Sequence, residues 1–246
     1  MKKNYLILIC LFILSVLQVK AQGNYQAGFA ILNDGTRISG FIFMDANDPW
    51  SSQNHIYLKD SAAVAANPNK EIKAKKYNAD ELQYYKVGDR TFTKIHYVDL
   101  QNLQSKSLGS NNHMLEILNL GRINAYRFYP YPQDTFSSIG SDLTVEQQIK
   151  RDHDDKISHW KFLVQKDNKG KYDNIFESDL QKYFEDTPEV LKKYNDGEYG
   201  NEPVSKKKGL AAKMMSLAKK ATYMPMKWQG IVLAINDYNQ SNEKAK

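Results

Sequence analysis

Apolar and polar positions alternate with a period of two through much of Ala27 to Phe176, and with a helical period from Ser178 onward. The clearest alternating stretch is Ala27–Phe43, AGFAILNDGTRISGFIF, which predicts a β-hairpin turning at Asp34-Gly35. A two-residue loop there pairs Asn33 with Thr36, Ile31 with Ile38, Phe29 with Gly40 and Ala27 with Ile42. It gathers Ala27, Phe29, Ile31, Ile38, Gly40 and Ile42 on one apolar face. The other face then mixes Ala30, Leu32, Arg37, Ser39, Phe41 and Phe43. A loop one residue longer sets Ile31 against Arg37 and breaks the apolar face, so the pattern favours the shorter loop. The expected pairing also lays the Phe29 ring over Gly40. A hairpin alone is marginal in water, so this one must join further strands.

Asp45 to Ser52 reads as a polar loop, His55–Leu58 as a short strand, and Ser61 to Lys76 as a flexible surface excursion. A second hairpin is expected over Gln83 to Tyr97, turning at Gly88-Asp89 and pairing Tyr85 with Phe92 and Val87 with Arg90. A third runs from Met114 to Tyr129 with its turn near Leu120-Gly121, its register open. Gln133 to Lys156 is polar and acid-rich and reads as a mobile loop or an inter-lobe linker. A last strand pair is expected over His159–Lys166 and Lys171–Phe176.

Beyond Phe176 the helical signals accumulate. Ser178 can cap a helix over Asp179–Phe184. Thr187-Pro188-Glu189 is a strong helix start that runs through Tyr194 to Gly197. Leu210, Met214, Leu217, Ala218 and Ala221 recur at helical spacing, as do Trp228, Ile231, Val232, Ile235 and Tyr238, and a polar tail covers 241–246. Strands first and helices last predict an α+β fold, a β-rich antiparallel lobe over 23–176 with a C-terminal helical region over 177–240 packed on it.

The N-terminus changes the reading of charge and cysteine. Lys2 and Lys3, an apolar core from Tyr5 to Val19 and the small-residue site before Gln22 form a secretory signal peptide, 1–22, with cleavage near Ala21. The apolar core is shorter than the roughly 20 residues a membrane span needs. Cys10 lies inside it, where lipid attachment does not occur. Setting aside Lys2, Lys3 and Lys20 lowers the 34 basic residues to 31 against 28 acidic ones, and the net charge from +6 to +3. That balance gives no reason to expect nucleic acid. The remaining chain has no thiol and must be held by its core. It is expected to be exported, periplasmic or envelope-associated.

Gly35-Thr36 with Gly40-Phe41-Ile42, the segment Tyr77-Asn78-Ala79-Asp80-Glu81-Leu82 and the run MLEILNLGRINAYRFY resemble a functionally uncharacterised family of exported proteins of Gram-negative bacteria. Its G-T/D-x-x-x-G-x-I hairpin also occurs in regions that precede outer-membrane β-barrels. The resemblance covers Gln26 to Tyr129 and Ser178 to Asn239. It implies a scaffold and carries no catalytic, cofactor or metal residue over to this chain.

The residues themselves point the same way. Arg151-Asp152-His153-Asp154-Asp155 is the one dense set of metal-ligand types, without an Asp-x-Asp-x-Asp-Gly loop or a second histidine at ligand spacing, and reads as a solvated charged loop. His55, His96, His113 and His159 are scattered along predicted strands and read as structural. G-x-S-x-G, S-x-x-K, His-Glu-x-x-His and a phosphate-binding glycine loop are missing. No catalytic, cofactor-binding or metal residue is assigned and no cofactor is expected. Lys206, Lys207, Lys208, Lys213, Lys219 and Lys220, with an apolar stripe beside them, are candidates for contact with an anionic membrane surface. The 16 tyrosines and 10 phenylalanines fill strand faces or form a ligand-binding face. The expected function is a non-enzymatic binding or interaction module of the cell envelope, with an envelope protein or glycan as partner. The alternative is a hydrolase of an envelope polymer working through dispersed carboxylates.

Overall fold

The computed structural model describes residues 24–99, 111–132, 142–201, 203–204, 214 and 228–243. Residues 1–22, expected to be a signal peptide cleaved near Ala21, lie outside the described residues, as do Lys206, Lys207, Lys208, Lys213, Lys219 and Lys220. The fold is α+β, largely β. Ten strands form one antiparallel sheet: β1 (Tyr25–Leu32), β2 (Arg37–Phe43), β3 (His55–Asp60), β4 (Lys75–Asn78), β5 (Leu82–Val87), β6 (Arg90–His96), β7 (Asn112–Asn119), β8 (Ile123–Phe128), β9 (Lys161–Lys166) and β10 (Asp173–Asn174). Their spatial order is β10-β9-β8-β7-β6-β5-β1-β2-β3-β4, so two meanders run outward from the β1/β5 pair.

The connection between the meanders forces a curl. In a flat sheet β4 and β5 would stand four strand spacings, about 19 Å, apart. The link from Asn78 to Leu82 reaches about 15 Å fully extended, and it is tightened by a hydrogen bond from the Glu81 N–H to the Asn78 carbonyl. Strands β5-β1-β2-β3-β4 therefore wrap round. The link is tied into the curl, since Asn33 N–H donates to the Glu81 carbonyl and Ala79 N–H to that of Asn54. Inside the curl lie Ala30, Ile42, Ile56, Leu58, Tyr77, Leu82, Tyr85, Val87 and Phe92, with Tyr85 stacked on Phe92 at 4.3 Å.

The first hairpin forms, but one residue out of the expected register. Ile31 faces Arg37, Ala30 faces Ile38, Phe29 faces Ser39 and Gly28 faces Gly40. The loop has three residues, Asn33-Asp34-Gly35. Gly35 takes φ +85° and Leu32 N–H donates to the Thr36 carbonyl, the geometry of a type I turn followed by a G1 bulge. The reason lies in the bend. A Cβ on Gly28 would fall 2.1 Å from the Lys86 carbonyl oxygen, and one on Gly40 2.1 Å from that of Lys59. Two glycines opposite each other let the neighbouring strands close in. The inward face thus combines Gly28, Ala30 and Gly40 with Ile38 and Ile42, while Phe29, Ile31, Phe41 and Phe43 turn outward, so the all-apolar face expected from the sequence does not exist. The second hairpin pairs Tyr85 with Phe92 and Val87 with Arg90, as expected. The third has a bulge between Ile117 and Asn119.

Six helices are described: α1 (Pro49–Asn54), α2 (Ser61–Ala66), α3 (Val145–Ser158), α4 (Gln181–Phe184), α5 (Pro188–Asp196) and α6 (Trp228–Glu243). Five sequence expectations differ from the structure. The expected loop Asp45–Ser52 contains the start of α1, whose Asp48 caps the Ser51 N–H. The excursion Ser61–Lys76 holds α2, capped by Asp60, and the start of the edge strand β4. The later part of the mobile loop assigned to 133–156 is α3, opened by a reciprocal capping box between Thr144 and Gln147; residues 133–141 lie outside the described set. Ser178 does not cap α4, which begins after Leu180, and α6 runs on through Glu243 into the expected tail. Thr187-Pro188 starts α5 as expected, though the Thr187 side chain makes no capping bond.

Helices α4, α5 and α6 share one buried cluster with β8 and β9, including Phe162, Val164, Phe184, Val190, Ile231, Ile235 and Tyr238. The Asn239 side chain pins α6 to the β7–β8 turn. Its Oδ1 accepts from the Ile123 N–H at 2.9 Å and its Nδ2 donates to the Ile123 carbonyl at 2.9 Å. Among the described residues no helix is long and apolar enough to cross a membrane.

Candidate binding face

The shifted register decides which side chains leave the curl. Alternation and cross-strand pairing put Tyr25, Phe29 and Ile31 of β1 on its outer face with Arg37, Phe41 and Phe43 of β2. Tyr57 and Lys59 of β3, Lys76 of β4, and Tyr84 and Lys86 of β5 join them. The rings are in contact: Tyr25 meets Phe43 edge-on at 5.3 Å and Phe29 meets Tyr84 at 5.8 Å. Cations lie on the rings. The Arg37 guanidinium is 3.7 Å from the Phe29 centroid and the Lys59 ammonium 4.5 Å from that of Tyr25. Such contacts hold a cation in place for about 0.5–1 kcal/mol at an exposed site. Arg37, Tyr57, Lys76 and Lys86 are exposed, and the other rings are half-buried.

Charge is divided between the two meanders in an unusual way. Every ion pair among the described residues takes its cation from Arg90 onward. Before Arg90 several carboxylates cap backbone instead. Asp34 accepts from Thr36 N–H at 2.9 Å, Asp45 from Asn47 N–H at 2.9 Å, Asp60 from Ala62 N–H at 2.7 Å and Glu81 from Asn78 N–H at 2.8 Å. The acids sit at strand and helix ends while Arg37, Lys59, Lys76 and Lys86 stand on the sheet. Of the residues alternating onto this outer face, none is acidic. Glu71 reaches the rim, where its charge, after burial, pushes the Tyr25 phenol up.

The second meander spends its charges internally. Glu116 accepts a two-pronged bond from Arg90 (3.0 and 2.9 Å) and a third from Arg127 at 3.1 Å. The Arg127 guanidinium lies 4.6 Å from the Trp160 ring and 4.7 Å from that of Trp228. Asp186 accepts from Tyr238 and is paired with Lys166 and Arg122. Burial works against its charge, but these partners win and hold the carboxyl below the usual range. Asp167, Asp173 and Asp237 are likewise held low by cationic or phenolic partners. Asp48 differs: burial pushes its carboxyl up.

The metal-ligand residues singled out from sequence do not converge. On α3, Asp154 pairs with Lys150 at 2.8 Å, Asp155 with His159 at 3.0 Å and Asp152 with Lys156 at 4.0 Å. His153 instead meets the Trp50 ring at 4.8 Å. Among the described residues no group of three or more His, Cys, Asp or Glu could hold a metal ion. The other histidines stay apart. His96 meets Asn112 Oδ1 at 3.1 Å, and buried His113 meets Tyr131 Oη at 2.9 Å and the Tyr97 carbonyl at 3.1 Å. His55 lies 3.4 Å from Ser51 Oγ, with no carboxylate bonded behind it among the described residues, so the pair lacks the geometry of an activated nucleophile. Arg37, Lys59, Lys76 and Lys86 were not singled out by sequence; the Gly28–Gly40 register places Arg37, and the pairings of β3, β4 and β5 place the three lysines.

No protein-family model, no curated protein and no solved structure matches this chain.

Proposed function

We propose that this chain is an exported, non-enzymatic binding module of the cell envelope that holds its ligand on the outer face of β1 to β5. In this reading residues 1–22 direct export, cleavage falls near Ala21, and the helices from 177 onward close a β-rich lobe. The observation that carries it is the set of cations on that face, which stand on or beside aromatic rings with no carboxylate partner among the described residues. Among the described residues most cations from Arg90 onward are held by carboxylates, whereas on this face the charge is left available. The resemblance to exported Gram-negative proteins supports the same location.

Co-sedimentation with purified peptidoglycan sacculi and outer-membrane vesicles tests this. The protein is expected to pellet with one of them, and Arg37→Gln with Lys86→Gln should release it without altering the circular dichroism spectrum. Pelleting unchanged by these substitutions, or no pelleting with either material, overturns the reading. The hydrolase alternative rests on one observation, the half-buried Asp48 carboxyl, which burial pushes up and the neighbouring Asp45 charge pushes in the same direction. Release of reducing sugar from sacculi, lost in Asp48→Asn, would favour it.

A further inference from the structure

We infer that the ligand of the outer face is a linear acidic polysaccharide, an inference that rests on the binding reading above. The cations do not converge on a point. Lys86, Arg37, Lys59 and Lys76 come from four different strands, β5, β2, β3 and β4, with β1 contributing only rings and small or aliphatic side chains between them. Strands lie about 4.8 Å apart, so the four span roughly 20 Å across the curved sheet and stand at different heights along it, Lys86 level with Phe29, Arg37 with Ile31, Lys59 with Phe41 and Lys76 with Tyr57. A single small anion would meet one or two of these charges. A chain carrying repeated carboxylates and crossing the strands can meet all four.

The rings discriminate between polymers. A single-stranded nucleic acid binds by laying bases flat on open aromatic faces. On this surface the faces of Phe29 and Tyr25 are covered by Arg37 and Lys59, 3.7 and 4.5 Å from the ring centroids. The same arrangement presents both cations outward, held in position by the rings beneath, where a uronate carboxylate can pair with them. Exposed Tyr57, 38% accessible, offers an apolar surface to the C–H face of a sugar ring. Among the described residues no strand position on the face is acidic, and Glu71 stands only at its rim, beside Tyr25.

Fluorescence polarisation with labelled polygalacturonate oligomers is the test, run beside neutral dextran and oligodeoxythymidylate. Saturable binding to polygalacturonate is expected, with none to dextran, weakening at least about tenfold between ~20 and ~200 mM NaCl as screening sets in. Replacing Arg37, Lys59, Lys76 and Lys86 by Gln should weaken it at least about tenfold beyond a control in which Lys150, Lys169, Lys171 and Lys192 are replaced. The control removes the same charge from other surfaces. Absence of saturable binding, an equal loss in the control, or tighter binding to the oligonucleotide overturns the inference. If polygalacturonate fails while Arg37→Gln with Lys86→Gln still releases the protein from sacculi or vesicles, the ligand class falls and the binding reading stands. Failure of both removes both.

Discussion

Asp48 and Asp186 are both partly exposed carboxylates, yet their surroundings push them in opposite directions. Burial raises the Asp48 carboxyl, so its folded pKa exceeds the unfolded value of about 3.9. The stability linked to it is present below that value and is lost as pH rises through the folded pKa. Asp186, held by Lys166, Tyr238 and Arg122 against the effect of burial, has a depressed folded pKa. Its contribution is present above about pH 3.9 and is lost as pH falls through the folded value. Asp48→Asn keeps an oxygen to cap Ser51 and should raise the melting temperature at pH 7 by roughly 1–3 °C, the gain vanishing at acid pH. Asp186→Asn should lower it at pH 7 by a similar amount, also converging on wild type in acid. Thermal melts from neutral to acid pH check both, and shifts of the same sign at pH 7 would contradict the assignment. Neither environment is legible from sequence, because Asp48 is raised by burial in the fold and Asp186 depends on Lys166, Tyr238 and Arg122 elsewhere in the chain.

At the scale of elements, what was legible depended on whether a segment announces itself locally. The Thr187-Pro188 helix start and the Gly88-Asp89 hairpin are set by neighbours a few residues away, and both appear where the sequence puts them. Helix α3 buries none of its residues, so it shows little apolar period; its readable signal was the Thr144–Gln147 capping box. Strand β4 is four residues long and rich in lysine, as suits an exposed edge, and alternation over so short a run is weak. The first hairpin misled for a different reason. Its polarity pattern favours a face that would bury Phe29, whereas the bend requires Gly28 and Gly40 to meet. Gly40→Val should cost roughly 1–3 kcal/mol or more in urea denaturation, because the new Cβ meets the Lys59 carbonyl. Gly35→Ala, in open space but at positive φ, should cost roughly 1 kcal/mol. The reverse ranking would show that the bend does not depend on the glycine pair.

For the molecule as a whole, the α+β class and the order of strands before helices follow from the change of hydrophobic period near Ser178. The curl of β5-β1-β2-β3-β4 does not, since it follows from a three-residue link between strands that alternation alone leaves unpaired. That curl turns a mixed hairpin face outward and gives it a cationic, aromatic character. The same closure divides the charges: caps at the ends of the first meander, internal ion pairs in the second, and unneutralised cations on the outer wall. The binding claim depends on that wall. It is tested most directly by titrating the isotope-labelled protein with soluble glycan released from sacculi and with the polysaccharide of outer-membrane vesicles, following backbone amide chemical shifts. Saturable shifts centred on Phe29, Arg37, Phe41, Lys59 and Lys86 are predicted. Shifts confined to α3, α5 or α6, or no shifts with either glycan, would contradict the account.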